Sequence, residues 1–271
     1  MELLFAFVLG AILGSFLNVV ILRLPKDQSI IFVSSHCPKC NTSLKPWHNI
    51  PIVSWIALRG RCSFCKNEIS AQYPLIELIS GFIFLALSVK FTLSFASILI
   101  GFSFLTLLAL SMIDFKYKMV PDSLNLLALF FAVFGAWSLS GVVTNFQNAM
   151  LFAGGFTLLR FGVSYMLTSS VHRKAKKTLT SWNRHYHTYP FIEAMGEGDI
   201  MVAATMGALL GIKLTFIAIF LSALLALPVT IAMMNKSDED KRVPFVPFLA
   251  IATFIVYIFD SHILSYIEAN Y

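Results

Sequence analysis

Charge is scarce in this chain. Only 13% of its 271 residues are charged, against 58% hydrophobic, and the mean hydropathy is +0.78. That excludes a water-soluble domain of this size and puts the chain in a bilayer. No repeat of fixed period and no low-complexity tract runs through it, and no glycine-rich Rossmann fingerprint occurs. The first apolar run has no basic segment before it and no small-residue cleavage pattern before Arg23, so it is expected to be a retained helix and not a removed signal. Neither a midplane break nor an internal inverted repeat, the marks of a transporter, is apparent.

What is present in quantity is apolar sequence. At about 20 residues per span, the runs place helices at 2–22, 73–89, 93–113, 123–140, 148–168, 198–212, 214–234 and 246–265, the sixth and seventh separated only by a turn around Lys213. The expected fold is an all-α polytopic membrane protein of about eight transmembrane helices with a cytoplasmic zinc-ribbon-like loop. Three stretches follow: a first transmembrane helix at 1–22, a cytoplasmic four-cysteine metal-binding loop at 23–72, and a multi-helix membrane core at 73–271 that carries a cytoplasmic loop at 169–197. Basic loops are retained in the cytoplasm. With the N-terminus outside, the inside loops 23–72, 114–122, 169–197 and 235–245 hold 17 of the 20 Lys and Arg residues, leaving Lys90 and Lys213 outside and Arg160 within a span. The net charge of +6 is thus accounted for by topology and anionic headgroups, and no nucleic-acid partner is expected.

All four cysteines fall in the first loop, as Cys37-Pro-Lys-Cys40 and Cys62-Ser-Phe-Cys65, with 21 residues between the two pairs. Each CxxC presents two thiolates from one tight turn, and two such turns complete a tetrahedron around Zn²⁺. Two disulfides or a redox pair are the alternatives, and the reducing cytoplasm disfavours them. A site with four protein ligands is closed, so its metal folds the loop and takes no part in chemistry. The segment Trp47-His48-Asn49-Ile50-Pro51 and Trp55 are expected to pack over it, with His48 a rival ligand.

Acidic residues at the edges of membrane helices are costly and call for a function. Asp114 closes the third span in Ser111-Met112-Ile113-Asp114, and Asp199 opens the sixth in Gly196-Glu197-Gly198-Asp199. The charge bias alone puts both at the cytoplasmic boundary. Two carboxylates that share one proton are what an aspartic peptidase requires: the ionised one takes a proton from water while the protonated one donates to the scissile carbonyl. By helix polarity Asp199, at a helix N-terminus, is expected to begin as base and Asp114, at a C-terminus, as acid. Gly196 and Gly198 leave room for a substrate strand to approach the backbone. The plainer reading keeps Asp199 as an N-cap and Asp114 as a juxtamembrane charge beside Lys116 and Lys118.

The chain resembles the type IV prepilin peptidases over nearly its whole length. The likeness rests on Gly14-Ser15-Phe16-Leu17-Asn18 with Arg23-Leu24-Pro25, the two CxxC pairs, His48-Asn49-Ile50-Pro51, Tyr73-Pro74-Leu75-Ile76-Glu77, Asp114 followed by Pro121-Asp122, and Gly196-Glu197-Gly198-Asp199. The resemblance implies an enzyme of the bacterial inner membrane with two activities. It would cut the short basic leader of type IV prepilins and of the pseudopilins of type II secretion after a glycine, and then N-methylate the new terminal residue with S-adenosylmethionine. It maps the family's catalytic aspartates onto Asp114 and Asp199 and its zinc ligands onto Cys37, Cys40, Cys62 and Cys65. A peptidase without methyl transfer, and a non-enzymatic membrane transporter or scaffold with a zinc-folded loop, are the rival readings.

The family often carries lysine where this chain has Met201, and the loop before Gly196 looks longer than usual. In that loop His185 and His187 have no acidic or thiol partner nearby and are expected to be solvated; the basic run from Arg173 to Lys177 is expected to lie on headgroups. Arg160, inside a span, needs a structural partner. Glu77 either pairs with Arg160 or serves methyl transfer, and Asn18 is expected to bond between helices.

Overall fold

In hydrocarbon the backbone has no partner but itself, so apolar runs resolve into helices. The computed structural model describes residues 1–30, 35–37, 39–92, 94–178, 195–233 and 243–270, apart from the side chains of Pro46, Ser138 and residues 172–178. Its helices are α1 (Glu2–Arg23), α2 (Val53–Ala57), α3 (Gln72–Lys90), α4 (Phe95–Tyr117), α5 (Asp122–Gly135), α6 (Trp137–Ser140), α7 (Val142–Thr178), α8 (Glu197–Met233), α9 (Val246–Ile258) and α10 (Asp260–Asn270), with short 3₁₀ turns at Leu24–Lys26 and Pro46–His48. Among the described residues there is no strand, only two isolated bridges in the cysteine loop.

All eight expected spans fall on these helices. Five of them, α1, α3, α4, α7 and α8, are long and apolar enough to cross a membrane, and α9 with α10, bent by 73°, makes a sixth if the pair is one span. α5 is apolar but has only 14 residues. The spans expected at 198–212 and 214–234 run together as α8. Its two halves meet at Gly211, where φ of 69° and ψ of −174° suit only glycine. The break comes slightly ahead of Lys213, and the Thr215 hydroxyl lies within hydrogen-bond distance of the Gly211 and Met206 carbonyls, at 2.5 and 3.2 Å.

α4 lies at the centre, packed on α5 and α9 and more lightly on α1 and α3. Between apolar helices in lipid, close backbone approach and shared polar bonds replace hydrophobic driving force. α1 and α3 touch where Gly10 meets the Ser80–Gly81 backbone so tightly that a Cβ there would clash. As expected, Asn18 bonds between helices: its Nδ2 donates to the Tyr73 carbonyl of α3 at 3.1 Å. Ser103 Oγ donates to the Ala128 carbonyl at 3.0 Å, joining α4 to α5. Asn145 Nδ2 donates to the Val133 carbonyl at 3.2 Å, joining α7 to α5. At the far end of α3, Lys90 Nζ reaches Asp260 at 2.6 Å and the Tyr257 carbonyl, fixing the turn from α9 into α10.

Candidate active site

The span expected to stop at residue 113 continues to Tyr117, so Asp114 sits in the last turn of α4; Asp199 sits in the first turn of α8. The two carboxylates line one cavity of about 1380 Å³ and lie close enough for the charge of one to act on the other. Asp114 is only 7% exposed, and its Oδ2 accepts the Val246 N–H at 3.2 Å. Val246 opens α9. Asp114 therefore faces a helix N-terminus as well as ending a helix, and helix polarity does not divide the pair into acid and base as expected. Asp199 Oδ2 lies beside Gly196, 3.7 Å from where a Cβ on that glycine would stand.

The two glycines differ in use. A Cβ on Gly196 would meet nothing closer than Asp199 Oδ2 at 3.7 Å, so space remains there. A Cβ on Gly198 would stand 2.5 Å from the Val120 Cβ, so this glycine admits the chain's own α4–α5 connection and not a substrate strand. Asn125 Nδ2, from α5, donates to the Gly198 carbonyl at 3.3 Å. None of Val120, Asn125 and Val246 was marked by the sequence. Asn125 carried one sign, as an amide in an otherwise apolar helix that must find a partner when buried.

Arg160 has its structural partner: its guanidinium meets Glu197 Oε1 at 3.0 Å, at the rim of the same cavity. The alternative pairing with Glu77 is not made. Glu77, 7% exposed on α3, instead accepts the Ile52 N–H at 2.7 Å and so ties the cysteine loop to the membrane helices. Ile52 takes a φ of 63°, uncommon for a branched residue, to present that amide. Asp122 and Lys118 also line the cavity, and its apolar walls come from Phe152, Phe156 and Leu159 of α7 and from Phe216 and Ile219 of α8. His185 and His187 lie outside the described residues, as do the side chains of the basic run from Arg173 to Lys177.

The cysteine loop is built from two matching turns. In the first, Cys37 N–H donates to the Thr42 carbonyl at 3.1 Å and Asn41 N–H to the Cys37 carbonyl at 2.9 Å. In the second, Cys62 N–H donates to the Asn67 carbonyl at 2.8 Å and Lys66 N–H to the Cys62 carbonyl at 3.0 Å. Asn41 and Lys66 both take positive φ, 53° and 59°, directly after the second cysteine of each pair, and each turn carries one bridge, His36 to Ser43 and Arg61 to Glu68. All four thiols are free, and their sulfurs lie within 4.8 Å of one another. The Cys37 and Cys65 sulfurs are 3.8 Å apart. A tetrahedron with metal–sulfur bonds of about 2.3 Å has edges of about 3.8 Å, so the donor set fits a tetrathiolate ion. Hydrogen bonds from Thr42 bring the Cys40 thiol down to about 6. The Asn67 amide lowers Cys65 too, but burial and the three neighbouring sulfurs outweigh it and push that thiol up to about 11. The group holds four cysteines and no histidine; His48 packs edge-on against Phe64 and Trp47. Trp55 does pack on the second turn, over Gly60, with its indole N–H donating to the Ile69 carbonyl at 3.2 Å.

Comparison with known proteins follows this division of parts. A profile for the bacterial peptidase A24 N-terminal domain matches residues 8–91, the cysteine loop included, and one for the type IV leader peptidase family matches residues 100–231, which carry both aspartates. A prepilin leader peptidase/N-methyltransferase of Stutzerimonas stutzeri is 32% identical, over 97% of this chain and 93% of its own length. Its counterpart in Neisseria gonorrhoeae is 33% identical over 93% and 88%. The chain belongs to the type IV leader peptidase family. A further relative, from Pseudomonas aeruginosa, is 31% identical over 94% of this chain and 89% of its own length. No solved structure matches. This leader peptidase family member is thus a multi-pass membrane protein whose four cysteines and two cavity aspartates fall in the two separately matched regions.

Proposed function

We propose that this chain is a prepilin leader peptidase and N-methyltransferase of the bacterial inner membrane, with Asp114 and Asp199 as its catalytic pair. The observation that carries the reading is the meeting of these two carboxylates, from the end of one membrane helix and the start of another, in a single cavity. Of the pair, the ionised carboxylate takes a proton from a water molecule as its oxygen bonds the scissile carbonyl carbon, while the protonated one donates to the carbonyl oxygen. Collapse of the tetrahedral intermediate breaks the C–N bond, and the leaving amine takes up a proton. Which carboxylate begins with the shared proton is a property of the pair.

Substrates on this reading are prepilins and pseudopilins, whose basic leader stays on the cytoplasmic side and whose apolar helix lies in the bilayer. The N-terminus of the enzyme lies outside, and the cysteine loop and active site inside. That loop and the cavity share one end of the molecule, since Trp55 and Ile56 of the loop line a second hollow together with Met112, Phe115 and Lys116 of α4. The division into a first helix at 1–22, a metal loop at 23–72 and a peptidase core at 73–271 follows these roles. Cys37, Cys40, Cys62 and Cys65 would hold Zn²⁺, which supplies structure to the loop and no open coordination position. The second hollow, about 750 Å³, has almost wholly apolar walls with Gln72 and Lys116 as its polar side chains. Among the described residues its walls present no acidic group to the ammonium and sulfonium charges of S-adenosylmethionine.

The test uses the purified protein in lipid with a membrane-inserted prepilin and S-adenosylmethionine. Mass spectrometry is expected to find the pilin shortened by its leader after a glycine and its new N-terminus heavier by one methyl group. A shortened pilin without the methyl group would reduce the reading to a peptidase alone, and an intact prepilin would remove it.

Gly198→Ala gives a second expected result. The added Cβ must displace Val120, which is attached to the backbone too closely to swing away. Since about 1 Å of misplacement can cost about 10²-fold in rate, cleavage by Gly198→Ala is expected to fall by about that factor, with partial recovery in Gly198→Ala/Val120→Gly, which removes the opposing Cβ. Equal rates for Gly198→Ala and wild type would mean that this contact does not set the position of Asp199.

A further inference from the structure

We infer that the Arg160–Glu197 ion pair is a positioning device for the catalytic turn, holding the segment that carries Asp199 against α7. The inference rests on the aspartate-pair reading. Among the described residues, two contacts hold that segment on the α4–α5 side: Gly198 against Val120, and the Gly198 carbonyl on Asn125. The cavity separates this cluster from α7. Across its rim, Arg160 of α7 reaches Glu197 at 3.0 Å, and Glu197 is the residue between the two glycines.

Both of Glu197's neighbours lack a side chain, so its own side chain is the handle by which this short stretch can be held from the α7 side. The Arg160 end is fixed, with its side chain only 16% exposed on a membrane helix, whereas the Glu197 side chain is 80% exposed. An ion pair with one end so open to water is screened and adds little to overall stability. It adds a geometric constraint, because a guanidinium fork fixes direction as well as distance. Its value should therefore appear in the rate of the chemical step, through the placement of Asp199 two residues along the chain, and hardly at all in folding. In this account Arg160 and Glu197 are positioning residues and neither touches the reacting atoms.

A double-mutant cycle tests it, with Glu197→Gln, Arg160→Gln and the double variant assayed for prepilin cleavage in lipid beside Asp199→Asn. Each single change is expected to lower kcat by about tenfold while KM stays within about twofold. The double variant is expected to lose clearly less than the product of the single losses, because either change alone already breaks this pair. Thermal midpoints are expected to stay within about 4 °C of wild type. Unchanged kcat in Glu197→Gln, or losses that multiply in the double variant, would overturn the inference while leaving the aspartate reading intact, provided that Asp199→Asn is inactive. An active Asp199→Asn removes both. Should Arg160→Gln fail to fold, Glu197→Gln at its exposed site and Arg160→Lys, which keeps the charge and loses the fork, decide the matter by the same kcat and KM comparison.

Discussion

Asp114→Asn and Asp199→Asn, made separately, are each expected to slow prepilin cleavage by about 10²- to 10⁴-fold, the span that general acid–base groups supply, with little change in KM. Asparagine keeps the size of the side chain and, at position 114, an oxygen able to accept the Val246 amide, so the fold around each position should hold. What it loses is the ability to ionise or to hand over a proton. Because the two carboxylates act as a unit, the double variant should be hardly worse than either single one. The measurement is a time course of leader release, with a thermal melt of each variant as the control on folding. Cleavage by both variants at the wild-type rate would dismiss the pair mechanism and raise the plainer reading, in which Asp199 caps a helix and Asp114 is a boundary charge.

Removal of the metal carries the other large effect. Tetrathiolate zinc sites bind with apparent free energies of about 10–16 kcal/mol, and that binding is folding free energy for the segment that holds the ion. Cys37 and Cys62 are 4% and 1% exposed, and among the described residues the loop is otherwise held by short turns, a five-residue helix, the Trp55 and His48 contacts and the Ile52 bond to Glu77. A strong chelator, or Cys62→Ser, is therefore expected to open residues 35–70 to protease, while the helices from α3 onward remain resistant within the bilayer. Metal analysis should find one zinc per chain before treatment and none after. A chelated protein that kept its loop protected would show that the sulfurs are not what folds it. The consequence reaches the membrane as well, because Glu77 receives the Ile52 amide only while the loop is folded.

Much of this was legible from the sequence because the signals are local. The CxxC spacing encodes two turns, each closed within a few residues, and the structure draws all four sulfurs together. Asp114 and Asp199 could be found because a carboxylate at the edge of an apolar run is conspicuous wherever it lands. The partners of those groups were not legible. Asp114 meets Val246, Asp199 meets its own upstream turn, Arg160 meets Glu197, and Glu77 meets Ile52. Most of these contacts join helices far apart in the chain, and no periodicity announces which helix packs on which. The Gly196-Glu197-Gly198-Asp199 motif misled in one respect. The absence of a side chain at Gly198 suggested an approach path for substrate, but the space is filled by Val120, a residue with no mark of function in the sequence.

The pairing of the two cysteine turns also bears on how the molecule is made. Each closes over a handful of residues, and a single 21-residue connection joins them. Contacts so near in sequence cost little loop-closure entropy and form quickly. Translation delivers about 5–20 residues per second. The loop can therefore assemble soon after Ile69 has emerged, while α8 and α9 are still unmade, and the Glu77 carboxylate arrives afterwards to dock a finished module onto α3.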